Sequence, residues 1–156
     1  IMAELLPLPE HVLFGMLSFG VGHGCYLRAL GARRVAAPDI PAAGRAALPL
    51  AWLVALVGWL GLVRNPAIGA ALNYGALAYA LLLASMAGAA AALATTDRRY
   101  TGAAVGGGLF LLSDLILAAR LFRQAHFTQI GDVVWLTYIA GQALIVDGLN
   151  QEAQPV

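Results

Sequence analysis

Residues 106–121, GGGLFLLSDLILAARL, decide the fold class of this chain. They form a hydrophobic run long enough to enter a lipid bilayer, and the polar residues Ser113 and Asp114 lie near its middle. Asp114 is the only carboxylate in the interior of an apolar run, since Asp132 and Asp147 lie at the ends of theirs. An acid at this depth costs about 2.5–3.5 kcal/mol on insertion scales. We therefore expect Asp114 to have a partner, a water-filled cavity or a chemical role.

The composition places the whole chain in a membrane. Of its 156 residues, 61% are hydrophobic and 11% are charged, whereas soluble domains are about 45–50% apolar and 25% charged. A net charge of +1 without a basic block gives no sign of a nucleic-acid partner. Cys25, the single cysteine, excludes an internal disulfide and a multi-cysteine metal site. We predict no cofactor and no metal.

Five apolar spans follow one another, and none shows the alternation of a strand. Each is close to the ~20 residues that cross ~30 Å of hydrocarbon as a helix. The sequence predicts an all-α, polytopic transmembrane bundle in one domain, residues 1–156, embedded in the lipid bilayer of the cell (plasma) membrane. The predicted spans are about 11–30, 46–63, 71–94, 102–122 and 131–149.

The arginines indicate an orientation. With five spans, the loops after the first and third spans share one side with the C-terminus and hold six of the nine arginines. The positive-inside rule then predicts a cytoplasmic C-terminus.

Several polar residues inside the spans have helical spacing. His23 and Tyr26 are three residues apart in the first span, and Tyr138 and Gln142 are four apart in the fifth. At 1.5 Å per residue, the depths of His23, Gln142 and Asp114 agree within about 6 Å. The sequence thus predicts that these residues converge in one polar pocket.

Structural roles remain open for most of these residues. His23 is equally suited to a hydrogen bond with a neighbouring helix, and Tyr138 and Gln142 to holding helices together. A Ser-His-Asp triad is disfavoured, because Ser113 and Asp114 are adjacent on a helix and point about 100° apart. A metal site is disfavoured because His23 is the only deep histidine.

Three segments resemble, in order, motifs of the YhhN family of multipass membrane proteins. They are FGMLSFGVGHGCYL (14–27), GGGLFLLSDLILAARLF (106–122) and VVWLTYIAGQALIV (133–146). The family elements sF..gH..Y, G..lF..SD.ll and tY..aQ.li are met by Ser18, Phe19, His23 and Tyr26, by Gly107 or Gly108, Phe110, Ser113 and Asp114, and by Thr137, Tyr138, Gln142 and Ile145.

The resemblance implies a lysoplasmalogenase-like hydrolase acting on a lysophospholipid. The catalytic residues would then be Asp114 and His23, with Ser113, Tyr26, Tyr138 and Gln142 binding substrate and water. Family members usually have eight spans, and the third ends in a Gly-Asp element. Because this chain starts with Ile1 near that point, we expect it to be the C-terminal part of a longer fold whose second aspartate lies upstream.

The implied reaction is cleavage of a vinyl ether, which is stable to base and labile to acid. It requires a carboxylic acid that stays protonated near neutral pH, and burial favours the neutral form of a carboxyl group. The alternative is a non-enzymatic protein that binds or transports a lipid or small molecule through the same pocket. Release of a fatty aldehyde distinguishes the two.

Overall fold

A computed structural model describes residues 8–37 and 39–150, and for residues 8–11 and 68 it describes the backbone alone. Five long helices account for most of this part, which contains no strand. They are α1 (Leu8–Ala36), α2 (Ala42–Gly58), α3 (Ala70–Ala94), α4 (Thr101–Arg123) and α5 (Ile130–Asn150). The predicted all-α class and the number of helices are confirmed. Residues 1–7 and 151–156 of the predicted domain lie outside the described residues.

Four of the helices are long and apolar enough to cross a membrane: α2 with its continuation to Val63, α3, α4 and α5. Helix α1 is the longest, at 29 residues, but is not among them. Arg33 and Arg34 lie in its last turn, and glycines and two histidines dilute its apolar side chains. It extends six residues past the predicted end of the first span, and α2 begins four residues before the predicted start of the second, so the predicted loop of residues 31–45 is shorter at both ends.

Helix α3 lies at the centre of the bundle. It packs against α1, α2 and α4, and α5 packs against α4. Small side chains let α3 approach several neighbours closely, which is how membrane helices associate when water supplies no driving force between them. Its fully buried residues include Ala84, Ala90 and Ala92.

The connection between α2 and α3 is fixed by the side chain of Asn73. Its amide donates to the carbonyl oxygens of Asn65 (2.6 Å) and Gly69 (3.1 Å) and accepts from the backbone N–H of Asn65 (3.0 Å). The last turn of α2 widens into a π-helix, Trp59–Val63. The indole of Trp59 donates to the carbonyl of Asn73 (2.8 Å), which fixes this aromatic side chain beside the interior of the bundle.

Candidate functional site

A cavity of about 450 Å³ lies in the interior of the bundle and receives side chains from all five helices. Its volume is in the range of about 300–1,000 Å³ that is usual for ligand pockets. Most of the lining is aliphatic or aromatic. The polar exceptions among its side chains are Tyr79, Ser113, Asp114, Arg120 and Tyr138, together with the indoles of Trp59 and Trp135.

Asp114 faces this cavity. Its Oδ2 atom is buried and has no hydrogen-bond partner among the described residues. The hydroxyl group of Tyr79, on α3, interacts with the same carboxyl group. An unpaired carboxyl oxygen in an apolar interior is costly and uncommon, which makes it a candidate for chemistry.

The spacing of residues on α4 explains why Asp114 points inward. Phe110, Asp114, Leu117 and Leu121 recur every three or four residues, and all four line the cavity. Residues at this spacing share one face of a helix. The aspartate is therefore one member of the inward-facing stripe of α4, with its neighbours on that stripe apolar.

Ser113 lies on the adjoining face of α4, towards α5. It is 1% exposed, and its hydroxyl donates to the carbonyl oxygen of Val134 at 2.9 Å. Because a hydroxyl group carries one proton, only its acceptor lone pairs remain for a ligand. Ser113 also lines the cavity, so its predicted contact with substrate stays a prediction, restricted to accepting a hydrogen bond.

Tyr138 of α5 forms part of an aromatic wall. Its ring lies 5.4 Å from that of Phe110, 5.7 Å from that of Phe19 and 5.6 Å from that of Trp135. All four side chains line the cavity. The predicted placement of Tyr138 near Asp114 thus has a structural counterpart, since both border the same space.

The remaining predicted site residues form a second group. The hydroxyl of Tyr26 donates to Oε1 of Gln142 at 3.3 Å, which links α1 to α5. His23 is 1% exposed, and neither ring nitrogen has a hydrogen-bond partner among the described residues. None of these three side chains lines the described cavity.

Phe110 connects the two groups. The imidazole of His23 packs on its ring, while the same ring borders the cavity. Phe110 precedes Asp114 by four residues, or about 6 Å along the helix. The structure therefore brings Ser113 and Tyr138 to the cavity of Asp114, whereas His23 packs on Phe110 and does not line the cavity.

Sequence reasoning did not assign a role to Tyr79 or Arg120. The depth of Tyr79 in its span would have indicated its position. Tyr79 lies nine residues after the start of α3, and Asp114 lies nine residues before the end of α4, and these two helix ends are on the same side of the bundle. Arg120 is six residues after Asp114 in the last turn of α4. The sequence does show Arg120 as a cation near the end of the fourth span, but it was used only in the count of arginines that gave the orientation.

Within residues 8–37 and 39–150, no three His, Cys, Asp or Glu side chains are grouped closely enough to hold a metal ion. The groups that the described cavity offers for chemistry are carboxyl, hydroxyl, indole and guanidinium groups.

The sequence profile of the YhhN family matches residues 3–149, which include all three motif segments and every helix that lines the cavity. Neither a curated protein nor a solved structure matches the chain. A match over most of the chain establishes membership, and the chain belongs to the YhhN family.

Proposed function

We propose that this protein is a membrane-embedded hydrolase that cleaves the vinyl ether bond of a lysoplasmalogen, releasing a fatty aldehyde and a glycerophospho-base. One observation carries the proposal: Asp114, the only acid in the interior of a predicted apolar span, faces an apolar cavity with a carboxyl oxygen unpaired among the described residues. Membership of the YhhN family supports it. The proposal includes location in the plasma membrane with a cytoplasmic C-terminus.

Asp114 acts as the general acid. The low dielectric of the interior favours its neutral form, so the carboxyl group enters the reaction carrying a proton. It transfers that proton to the alkene carbon farther from the ether oxygen, and the product is an oxocarbenium ion. Water adds to the cation and returns a proton to the carboxylate. The resulting hemiacetal then collapses to the aldehyde and a glycerol hydroxyl, so one water is consumed overall.

The hydroxyl of Tyr79 holds the Asp114 carboxyl group in position. Tyr138 and the lone pairs of Ser113 border the space where water and the glycerol oxygens would bind. General acid catalysis typically contributes 10²–10⁴-fold in rate. An apolar cavity bounded by aromatic rings suits a single hydrocarbon chain.

His23, Tyr26 and Gln142 contribute from the second group of polar residues. In our proposal His23 supports the ring of Phe110 that borders the cavity, and its predicted part in orienting water requires access past that ring. The bond between Tyr26 and Gln142 links α1 to α5, the helices that carry Phe19 and Tyr138 of the aromatic wall.

The test is Asp114→Asn in the full natural protein, with release of fatty aldehyde from a lysoplasmalogen as the measurement. We expect the wild type to release aldehyde and the variant to lose about 10²–10⁴-fold in rate with an unchanged melting temperature. Asp39→Asn, at an exposed acid before α2, is the matched control and should retain full activity.

Two outcomes contradict the proposal. Full activity of the Asp114→Asn variant would remove the assignment of the acid. A folded wild-type protein that binds the lysolipid and releases no aldehyde would favour the alternative, a lipid-binding or transport protein.

A further inference from the structure

We propose that Arg120 binds the phosphate of a single-chain phospholipid at the mouth of the cavity and thereby sets which bond of that lipid reaches Asp114. This inference rests on the proposed hydrolase function, but its binding test is independent of catalysis. It assigns a direction to the bound lipid, with its headgroup at the junction of α4 and α5.

Arg120 is the one cationic side chain that borders the described cavity. It lies in the last turn of α4, is exposed, and makes no hydrogen bond or ion pair with the described residues. By contrast, Nε of Arg123, one turn later, donates to the carbonyl of Gly61 at 3.1 Å. A free guanidinium at the edge of an apolar cavity offers paired N–H donors in the geometry that phosphate oxygens accept.

The spacing along α4 matches the substrate. Arg120 and Asp114 are six residues apart, or about 9 Å of helix rise. In a lysoplasmalogen, five single bonds separate the vinyl ether oxygen from phosphorus, and at about 1.5 Å each they span at most ~7 Å. A guanidinium–phosphate hydrogen bond adds about 2.8 Å. A phosphate held by Arg120 therefore leaves the vinyl ether within reach of the Asp114 carboxyl group.

The first turn of α5 borders the cavity beside Arg120. Gly131 also borders the cavity, and a Cβ atom placed on it would lie 3.8 Å from Nη1 of Arg120. With no side chain there, the positive end of a 21-residue helix stays open beside the guanidinium, and such helix ends favour anions. Asp132 follows in the same turn, but it is exposed and does not border the cavity.

The competing interpretation is that Arg120 contacts only the headgroups of surrounding bilayer lipids, as arginines near span ends often do. That role needs no cavity and would be shared by Arg64, which is exposed on the same side of the bundle. Since Arg64 does not border the cavity, the variants Arg120→Gln and Arg64→Gln separate the two interpretations.

Binding is measured on the full natural protein with a saturated, non-cleavable 1-O-alkyl lysophospholipid and with the matching 1-O-alkylglycerol, which lacks phosphate. Fluorescence of Trp59 and Trp135, which border the cavity, reports occupancy. We expect Arg120→Gln to weaken binding of the phospholipid about 10- to 100-fold, the loss of a charge-assisted hydrogen bond. The affinity of Arg120→Gln for the alkylglycerol should equal that of the wild type. The affinity of Arg120→Lys for the phospholipid should lie between those of the wild type and Arg120→Gln, and the affinity of Arg64→Gln for it should equal that of the wild type.

Three results would overturn the inference. The wild type could bind the two lipids with equal affinity, or Arg120→Gln could lose the same factor of affinity for both lipids. Inorganic phosphate alone could also displace the phospholipid, which would indicate a site for free anions. The proposed function fails separately, when the wild type binds the non-cleavable lipid but releases no aldehyde from a lysoplasmalogen. With the cleavable substrate, Arg120→Gln should raise KM and also lower kcat, because fewer bound lipids then hold the vinyl ether at Asp114.

Discussion

The imidazole of His23 packs edge-to-face against the ring of Phe110, with the two ring centroids 4.2 Å apart. This contact joins α1 to the helix that carries Asp114, although the two backbones do not come close together over any extended length. It also places two unpaired ring nitrogens in the interior of the described bundle. His23 therefore contributes the shape of its ring to the packing of Phe110, and no hydrogen bond to a described residue compensates its burial.

His23→Phe should keep the bundle folded and the aldehyde-releasing activity largely intact. The substitution retains a ring against Phe110 and removes two buried polar atoms that have no partner among the described residues, so the free energy of unfolding should stay the same or rise. His23→Ala should lower it by about 2–4 kcal/mol, near the lower end of aromatic-to-alanine changes in protein cores. Thermal unfolding in detergent and the aldehyde assay measure both effects. A folded His23→Phe protein as inactive as Asp114→Asn would instead support the predicted catalytic role of His23.

Tyr79→Phe should slow the reaction without unfolding the protein. The ring that fills the wall of the cavity remains, and only the hydroxyl that interacts with the Asp114 carboxyl group is lost. Loss of a hydrogen bond to a group that becomes charged costs about 1.5–3 kcal/mol, or roughly 10- to 100-fold in rate. Tyr74→Phe is the matched control, because Tyr74 is exposed on the same helix and does not border the cavity. Equal rates for the two variants would exclude Tyr79 from the site.

The sequence was sufficient for the features that depend on one helix at a time. Long apolar runs bounded by arginines and prolines predicted five helices. The lone acid of the fourth run was predicted to be functional, and in the structure it borders a cavity. Boundaries were less accurate. Helix α1 continues to Ala36 through Arg33 and Arg34, because these residues are good helix formers once they lie outside the hydrocarbon.

The arrangement of helices around the cavity could not be predicted in the same way. Counting residues gives the depth of a side chain but not the direction in which its helix presents it. Tyr79 therefore received no role, although α3 lies at the centre of the bundle and turns that side chain towards Asp114. His23 was predicted to share a pocket with Asp114 because their depths agree within about one turn, but in the structure His23 packs on Phe110 and does not line the cavity.

Asp97 should make the stability of the loop between α3 and α4 sensitive to acid. Its side chain accepts hydrogen bonds from Nε and the backbone N–H of Arg99, both at 2.9 Å, and these bonds lower the pKa of the carboxyl group below its ordinary value. A lowered pKa in the folded state means that the stabilisation is complete above the unfolded-state value of about 3.9 and is lost as the pH falls through the folded-state value.

Asp97→Asn keeps an acceptor at the start of the 3₁₀ turn Arg98–Tyr100 but removes the titration. We expect the melting temperature of the wild type to exceed that of the variant at neutral pH, and the difference to shrink on acidification below about pH 4. Added salt should also reduce the difference, because the pair is exposed. A difference that stays constant across this pH range would contradict the assignment.

Gly106→Ala should destabilise the contact between α4 and α5, whereas Gly108→Ala on the same helix should not. A Cβ atom at Gly106 would lie 2.6 Å from the carbonyl oxygen of Gly141 and 2.8 Å from the backbone nitrogen of Ile145. Because both are backbone atoms, the helices must move apart, at a cost of about 1–3 kcal/mol for an overpacked interior. At Gly108 no atom lies within 4 Å, so alanine should be neutral or stabilising by up to about 1 kcal/mol through its higher helix propensity.

Because Ser113 and Val134 are bonded across the same interface, Gly106→Ala should also lower aldehyde release more than its melting temperature alone explains. Equal melting temperatures for the two variants would show that α4 and α5 are not packed this closely.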